Sequence, residues 1–128
     1  MKILGIGVDI IKNDRIKNSV KNNNFKNRIY SSNELKQSKL IKNKINYFSK
    51  RFAAKEAFAK ALGTGFRINL NFKDIEVMND KMGKPYYTKT KKITKIVQNN
   101  FKVKNFNFFL SISDDKDYST AFAIIQSV

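Results

Sequence analysis

Cysteine and histidine are both absent from this sequence of 128 residues. The first absence excludes disulfides and thiol chemistry, and the second excludes a histidine metal site and a Ser-His catalytic triad. Acidic residues are scarce as well, since ten Asp and Glu stand against 26 Lys and Arg. Any catalysis therefore depends on a few carboxylates together with lysine, tyrosine and hydroxyl groups.

Long apolar runs are also missing. The run from Met1 to Ile10 is too short for a signal peptide, and no stretch approaches the roughly 18 apolar residues of a membrane span. We therefore expect a cytoplasmic protein with no membrane partner. A chain of this length fits one domain, so residues 1–128 are taken as a single unit.

The formal net charge of +16 is typical of proteins that bind nucleic acid, because Lys and Arg displace counterions from phosphates. Only four of the 26 basic residues are arginine, whereas phosphate and base recognition favours the planar fork of Arg. The lysines accompany abundant Asn, Ile and Phe, a mixture typical of an AT-rich genome. A small basic RNA-binding or ribosomal-type protein is therefore an alternative supported by charge alone.

The stretch from Tyr47 to Gly65 predicts one long helix. Apolar residues recur on one face at helical spacing: Tyr47, Ala54, Phe58 and Ala61. The opposite face places Glu56 among small and aromatic side chains, with Lys60 one turn later. A carboxylate in such surroundings needs a basic partner or a cation, although a surface pair between Glu56 and Lys60 explains it as well.

Glycines mark two further positions. Gly63-Thr64-Gly65 ends the helix, either as a plain cap or as a loop whose amides are free for an anion, and the cap is the simpler explanation. Gly5 and Gly7 interrupt a β-branched run from Ile3 to Ile10, which predicts a buried strand with close backbone approach. Asp9 lies near the end of that strand, and Asn13 and Asp14 are better placed to cap the next helix. This arrangement favours Asp9 as a site residue.

The remaining pattern gives the order strand, helices, hairpin, helix, hairpin, which predicts a single small α+β domain. Ser31 and Glu34 form a capping box before a short helix. A further helix places Lys91 and Lys92 on its solvent side. The predicted strands are Asp74 to Met78, a partner opening at Pro85, Phe106 to Ser113, and Tyr118 to Val128. Apolar side chains of the last two strands exceed what a small monomer needs to bury: Phe108, Tyr118 and Phe122.

Asp9 and Glu56, if they converge, form a hard-oxygen pair suited to Mg²⁺, which takes one or two carboxylates and completes its shell with phosphates and water. Lys60 and the glycine loop would then face the same phosphates. This is a layout for phosphoryl transfer.

Four blocks of the sequence resemble the holo-acyl-carrier-protein synthases, a family of phosphopantetheinyl transferases. The blocks are GIGVDI from Gly5, RFAAKEAFAKALGTG from Arg51, GKPY from Gly83 and SISD from Ser111. The resemblance covers nearly the whole chain in order and length. It implies the 4'-phosphopantetheinyl transferase fold in a trimer-forming chain, with the active site between adjacent subunits.

The resemblance also implies an activity and its cofactor. The enzyme would use Mg²⁺ to move 4'-phosphopantetheine from coenzyme A to a serine of apo acyl carrier protein, in support of fatty acid biosynthesis, and would release adenosine 3',5'-bisphosphate. Asp9 and Glu56 correspond to the metal ligands, and Lys60 to a group that meets the phosphates or helps to deprotonate the serine. The general base is either Glu56 or a water on the metal.

The remaining assignments concern binding. The positions that resemble coenzyme A contacts are Arg51, Phe52, Gly63, Thr64, Gly65, Lys84, Pro85 and Ser111. Arg15 and Arg28 resemble residues that dock the acidic carrier protein. Some members of the family carry histidine where this chain has Asp114, so Asp114 is either a site residue or a turn residue. A catalytically inactive trimeric scaffold is a third hypothesis.

Overall fold

The structure is a computed structural model that describes residues 1–67 and 69–128. In chain order the elements are β1 (Lys2–Lys12), α1 (Asn13–Ser19), α2 (Asn23–Ile29), α3 (Ser32–Ser38), α4 (Lys44–Leu62), β2 (Val77–Asn79), β3 (Pro85–Tyr87), α5 (Lys91–Phe101), β4 (Phe106–Asp114) and β5 (Tyr118–Ser127). A short 3-10 helix, Phe72–Asp74, precedes β2. The α+β fold predicted from the pattern is confirmed.

Helix α4 packs across an antiparallel sheet in the strand order β1-β5-β4. A Cβ added at Gly5 would lie 1.8 Å from the carbonyl oxygen of Ala61, and one at Gly7 would lie 2.0 Å from that of Ala57. Any larger residue would force α4 away from β1, so the close approach predicted from the two glycines is present. It sets the distance between the strand that carries Asp9 and the helix that carries Glu56.

Helix α4 is buried on nearly all sides. From Tyr47 to Leu62 only Lys50, Glu56 and Lys60 have appreciable exposure. The sheet covers one side, while α1, α3 and the small β2-β3 sheet cover others. The helix begins at the Asn43 cap, whose side chain accepts from the Asn46 amide, and ends at Gly63 in the left-handed conformation.

Some local predictions were wrong. Asn13 is not a helix cap, because α1 begins after Lys12 and Asn13 is buried. Its side-chain amide instead donates to the carbonyls of Asp115 (2.9 Å) and Lys116 (3.1 Å), which fastens the β4-β5 turn to α1. Strand β2 begins only at Val77, because the 3-10 helix occupies part of the predicted strand.

Within one chain, the described residues leave the sheet face opposite α4 uncovered. Ile6, Val8 and Ile10 of β1 are between 57% and 65% exposed, and Phe109 and Phe122 lie on the same face. Phe108 was wrongly assigned to the excess apolar surface, because its ring packs inward against Phe58 at 5.1 Å. No helix among the described residues is long and apolar enough to span a membrane.

Candidate active site

Asp9, Glu56 and Lys60 meet where β1 crosses α4. The Lys60 ammonium lies 3.0 Å from the carbonyl oxygen of Val8 and 3.2 Å from Asp9 Oδ1. Lys60 thus pairs with Asp9, and the alternative surface pair with Glu56 is not formed. The structure brings the three predicted catalytic side chains to one place.

The negative charges of Asp9 and Glu56 are only partly offset by nearby positive groups. Burial raises the pKa of Asp9, and the hydrogen bond and charge of Lys60 only partly oppose this effect. Burial also raises the pKa of Glu56, and the negative charge of Asp9 raises it further. Arg15 favours the charged form of both carboxylates, so this predicted docking residue lies within electrostatic reach of the cluster.

The donor set of this cluster fits Mg²⁺. Asp9 and Glu56 supply hard oxygens, and the like charge that raises the pKa of Glu56 is what a cation would offset. Among residues 1–67 and 69–128 no group of three or more Asp, Glu, His or Cys could hold a metal by itself. A cation at Asp9 and Glu56 would therefore share its shell with oxygens from a ligand or water.

A cavity of about 520 Å³ opens along the N-terminal half of α4. Its lining includes Tyr47, Lys50, Arg51, Asn79, Gly83, Pro85 and Asp114. Arg51 is only 4% exposed, its guanidinium carbon lies 3.8 Å from the Tyr47 ring centroid, and one terminal nitrogen donates to Asn79 Oδ1. Its Nε is buried without a hydrogen-bond partner in the described part of the chain.

Arg51 has no carboxylate partner among the described residues. Burial lowers its pKa, although the guanidinium stays charged at neutral pH because its ordinary value is so high. A buried cation with a free donor beside a cavity is suited to an anionic ligand. The cavity is therefore a candidate site for a phosphate.

Asp114 is the last residue of β4 and lines this cavity. Asn46 Nδ2 donates to its Oδ2 at 2.7 Å and so fixes the carboxylate in place. The turn itself is closed by the next residue, Asp115, which accepts from the amides of Asp117 and Tyr118. The position of Asp114 favours a site residue over a turn residue.

Other predicted contacts lie elsewhere. Phe52 is buried in an aromatic stack, 6.3 Å from Phe25 and 5.2 Å from Phe72. The Gly63 and Gly65 amides donate to the carbonyls of Lys60 and Ala59, so the loop is a helix cap whose glycine amides are already used. Thr64 sits between them with its hydroxyl 3.2 Å from the Gly65 carbonyl.

Three predicted residues belong neither to the cluster of Asp9, Glu56 and Lys60 nor to the lining of the Arg51 cavity. Ser111 is exposed on the free face of the sheet, opposite Phe122 of β5. Lys84 lies beside Pro85 and lines a second cavity of about 320 Å³ between β3 and β4. Arg28 is exposed on α2.

Sequence reasoning missed a buried ion pair. Lys55 Nζ lies 2.7 Å from Glu34 Oε1, and both side chains are fully buried. The capping box had already explained Glu34, and Lys55 is one of many lysines, so no pattern singled out either residue. Their only sequence signal is that Lys55 falls on α4 among apolar neighbours.

The fold, the Asp9 cluster and the Arg51 cavity together define a class of protein. It is a small α+β protein whose central helix carries a carboxylate-lysine cluster and borders a cationic cavity, both suited to phosphate-bearing ligands. This chain belongs to the 4'-phosphopantetheinyl transferase superfamily, which it matches over residues 5–123. The resemblance carried by the four sequence blocks is thereby confirmed.

Individual relatives agree with this assignment. The holo-[acyl-carrier-protein] synthase of Pelagibacter ubique is 64% identical over 126 residues, which cover 98% of each chain. The crystal structure of the Neisseria meningitidis holo-[acyl-carrier-protein] synthase matches with a TM-score of 0.88 at 36% identity, over 98% of this chain and 99% of that one. The Bacillus anthracis synthase in complex with CoA (3',5'-ADP) gives 0.82 at 35% identity over 100% of both chains.

Proposed function

We propose that this chain transfers 4'-phosphopantetheine from coenzyme A to a serine of apo acyl carrier protein. The serine oxygen forms a bond to the β-phosphorus, the bond from that phosphorus to the bridging oxygen breaks, and adenosine 3',5'-bisphosphate leaves. The observation that carries the proposal is the meeting of Asp9, Glu56 and Lys60 at the β1-α4 crossing. The family membership of the chain favours this activity over RNA binding.

Mg²⁺ is part of the proposal, with Asp9 and Glu56 as the residues that would hold it. When bound, the ion would neutralise charge that develops on the pyrophosphate oxygens. Lys60 supplies a second positive charge on the same side, and its exposed ammonium can reach a bound phosphate. The serine proton would pass to Glu56 or to a water at the same cluster.

We assign the nucleotide end of coenzyme A to the cavity at Arg51. Arg51 and Lys50 would bind the phosphate, and Pro85 and Gly83 of the β2-β3 hairpin would border the base. The bound CoA (3',5'-ADP) in the Bacillus anthracis relative supports a nucleotide site in this family. Contacts to coenzyme A from Phe52, Gly63, Thr64, Gly65, Lys84 and Ser111 stay predictions.

A homotrimer is also part of the proposal. The free face of the sheet carries Ile6, Val8 and Ile10, which would cost stability if left in water over so wide an area. Asp9 lies between Val8 and Ile10 on β1, so a subunit that covers this face would border the active site, and Ser111 lies on the same face. Light scattering that finds a fully active monomer would contradict a shared site.

Arg15 and Arg28 are proposed to dock the acidic carrier protein. Both are exposed on the early helices, and Arg15 is close enough to influence Asp9 and Glu56. A partner held there would present its serine at the cluster. A cytoplasmic location and a role in support of fatty acid biosynthesis, which the family resemblance implies, are also part of the proposal.

Isothermal titration calorimetry tests the proposal against the alternative function. We expect coenzyme A to bind with a dissociation constant in the micromolar range when Mg²⁺ is present and more weakly after EDTA treatment. Salt-sensitive binding to any RNA, combined with no binding of coenzyme A, would instead support the RNA-binding alternative.

A further inference from the structure

The buried pair of Lys55 and Glu34 has every polar atom occupied. Lys55 Nζ uses its three N–H bonds on Glu34 Oε1 (2.7 Å) and on the carbonyls of Ile75 (2.5 Å) and Phe72 (3.1 Å). Glu34 Oε2 accepts from the Val77 amide at 3.0 Å. The pair thus ties the whole segment from the 3-10 helix to the start of β2 onto α4.

The same pair is connected to Arg51 from two directions. Tyr47, whose ring lies against the Arg51 guanidinium, donates its hydroxyl to the Glu34 carbonyl oxygen at 2.6 Å. Asn79, which accepts from Arg51, lies in the three-residue strand β2 that begins at Val77. The Glu34 carboxylate therefore holds the start of the strand that carries Asn79, and the Glu34 main chain, which the same side-chain pair keeps in place, holds Tyr47.

We infer that the Lys55–Glu34 pair positions Arg51 for anion binding, through Tyr47 on one side and through β2 and Asn79 on the other. The inference rests on the proposed function, because it takes the anion to be the nucleotide end of coenzyme A. Lys55 and Glu34 do not line the cavity. They are positioning residues that act through Arg51.

The energetics of buried ion pairs agree with this role. Desolvation of two charges consumes most of their attraction, so apolar residues of similar size often stabilise a fold equally well. Stability alone therefore does not explain why a fully buried ion pair stands at this position. What an apolar pair could not supply is the set of directed hydrogen bonds to Phe72, Ile75 and Val77, which fix the segment leading to Asn79.

The test is binding of coenzyme A to the full-length protein in the presence of Mg²⁺, measured by calorimetry for variants shown by circular dichroism to be folded. The variant Glu34→Gln/Lys55→Met removes both charges together. We expect its dissociation constant for coenzyme A to rise at least tenfold, which corresponds to about 1.4 kcal/mol. Its rate at saturating coenzyme A and its KM for carrier protein should stay within about twofold of wild type, because the Asp9 cluster is untouched.

A comparison in the Arg51→Met background shows whether the Lys55–Glu34 pair acts through Arg51 or only stabilises the fold. If the pair acts through Arg51, the triple variant with Arg51→Met should bind coenzyme A no more weakly than Arg51→Met alone. Fully additive losses, or a folded double variant that binds like wild type, would overturn the inference. If the double variant fails to fold, the isosteric Glu34→Gln alone decides. Its single amide oxygen cannot replace both carboxylate oxygens, which accept from Lys55 and from the Val77 amide, so an increase of about threefold in the dissociation constant supports the inference and no change overturns it.

Lys92→Met is the matched control. It removes another ion pair on the same segment, the one that joins Lys92 to Asp74 at 2.7 Å, on the outer surface. Its affinity for coenzyme A should not change, and a tenfold loss would overturn the specific role of Lys55. Unchanged binding by Arg51→Met would refute the cavity assignment itself, and absence of binding by wild type would refute the proposed function.

Discussion

Lys55 and Lys60 stand on the same helix and each pairs with one carboxylate, yet their surroundings differ. The Lys55–Glu34 pair is 2.7 Å long with both side chains 0% exposed. In the Lys60–Asp9 pair the distance is 3.2 Å, and the side chains are 54% and 16% exposed. The first pair is complete in itself, whereas the second lies beside another carboxylate, Glu56, which forms no ion pair among the described residues.

This difference separates a charge that organises the fold from charges available to a ligand. Around Lys55 all donors and acceptors are satisfied within the chain, so a ligand could add nothing. Around Asp9 the pKa of both carboxyls is raised, which means that the folded protein holds their negative charges at a cost in free energy. A cation and a phosphate could complete that cluster.

The largest expected effect comes from removal of the carboxylates. Asp9→Ala and Glu56→Ala should each lower kcat/KM by about a thousandfold, because each removes a hard ligand for Mg²⁺ and leaves pyrophosphate charge uncompensated. Circular dichroism should show both variants folded. Near wild-type activity of either variant at millimolar Mg²⁺ would mean that the assignment of the metal ligands is wrong.

The same substitution should mainly lower stability at Lys55 and mainly lower activity at Lys60. Lys55→Met leaves Glu34 charged and buried, so its free energy of unfolding should fall by about 3 kcal/mol. Lys60→Met breaks an exposed pair and should change stability by less than about 1 kcal/mol, while it lowers kcat. Urea denaturation and steady-state kinetics measure the two effects, and equal stability losses would remove the distinction between the pairs.

A smaller effect concerns pH and the stability of Glu56→Gln. A carboxyl whose pKa is raised on folding favours the folded state below its unfolded pKa of about 4.5, and this contribution is lost as the pH rises through the folded pKa. Relative to wild type, Glu56→Gln should therefore melt higher at about pH 7, and the gap should shrink toward about pH 4. A variant that melts lower than wild type at neutral pH would show that Glu56 is well compensated.

The smallest expected effect is on the KM for carrier protein, and it shows whether binding depends on Arg15 itself or on the overall positive charge. Arg15→Glu should raise the KM for carrier protein several-fold and make the rate less sensitive to salt, with little change in coenzyme A affinity. Lys91→Glu is the control, because Lys91 is exposed on α5. Lys92 is unsuitable as a control, because it is only partly exposed and pairs with Asp74 at 2.7 Å. Equal effects of Arg15→Glu and Lys91→Glu would leave no docking site on α1.

Much of the fold could be predicted because local signals agreed with the tertiary structure. The capping box at Ser31 and Glu34 forms as expected, and the glycines of β1 mark the contact with α4. The glycine loop could be predicted only in part, because the sequence does not reveal whether its amides are bonded. In the structure they close the helix.

The site was predictable where one residue type was rare. Asp9 and Glu56 stand out because the sequence has only ten acidic residues. Lys55 could not be found in this way, because its burial depends on Glu34 and on the carbonyl groups of Phe72 and Ile75, all from distant segments. Phe108 and Phe109 show a similar limit, since strand register alone decides which of two adjacent rings faces the core.

Mass spectrometry of an apo carrier protein tests the central claim most directly. The carrier protein is incubated with coenzyme A, Mg²⁺ and either the wild-type chain, Glu56→Ala or Glu34→Gln/Lys55→Met. We predict that wild type adds one phosphopantetheine group to a serine, that the double variant does so fully once coenzyme A is saturating, and that Glu56→Ala leaves the carrier protein almost unmodified. No mass increase with wild type, or equal modification by Glu56→Ala, would contradict the account.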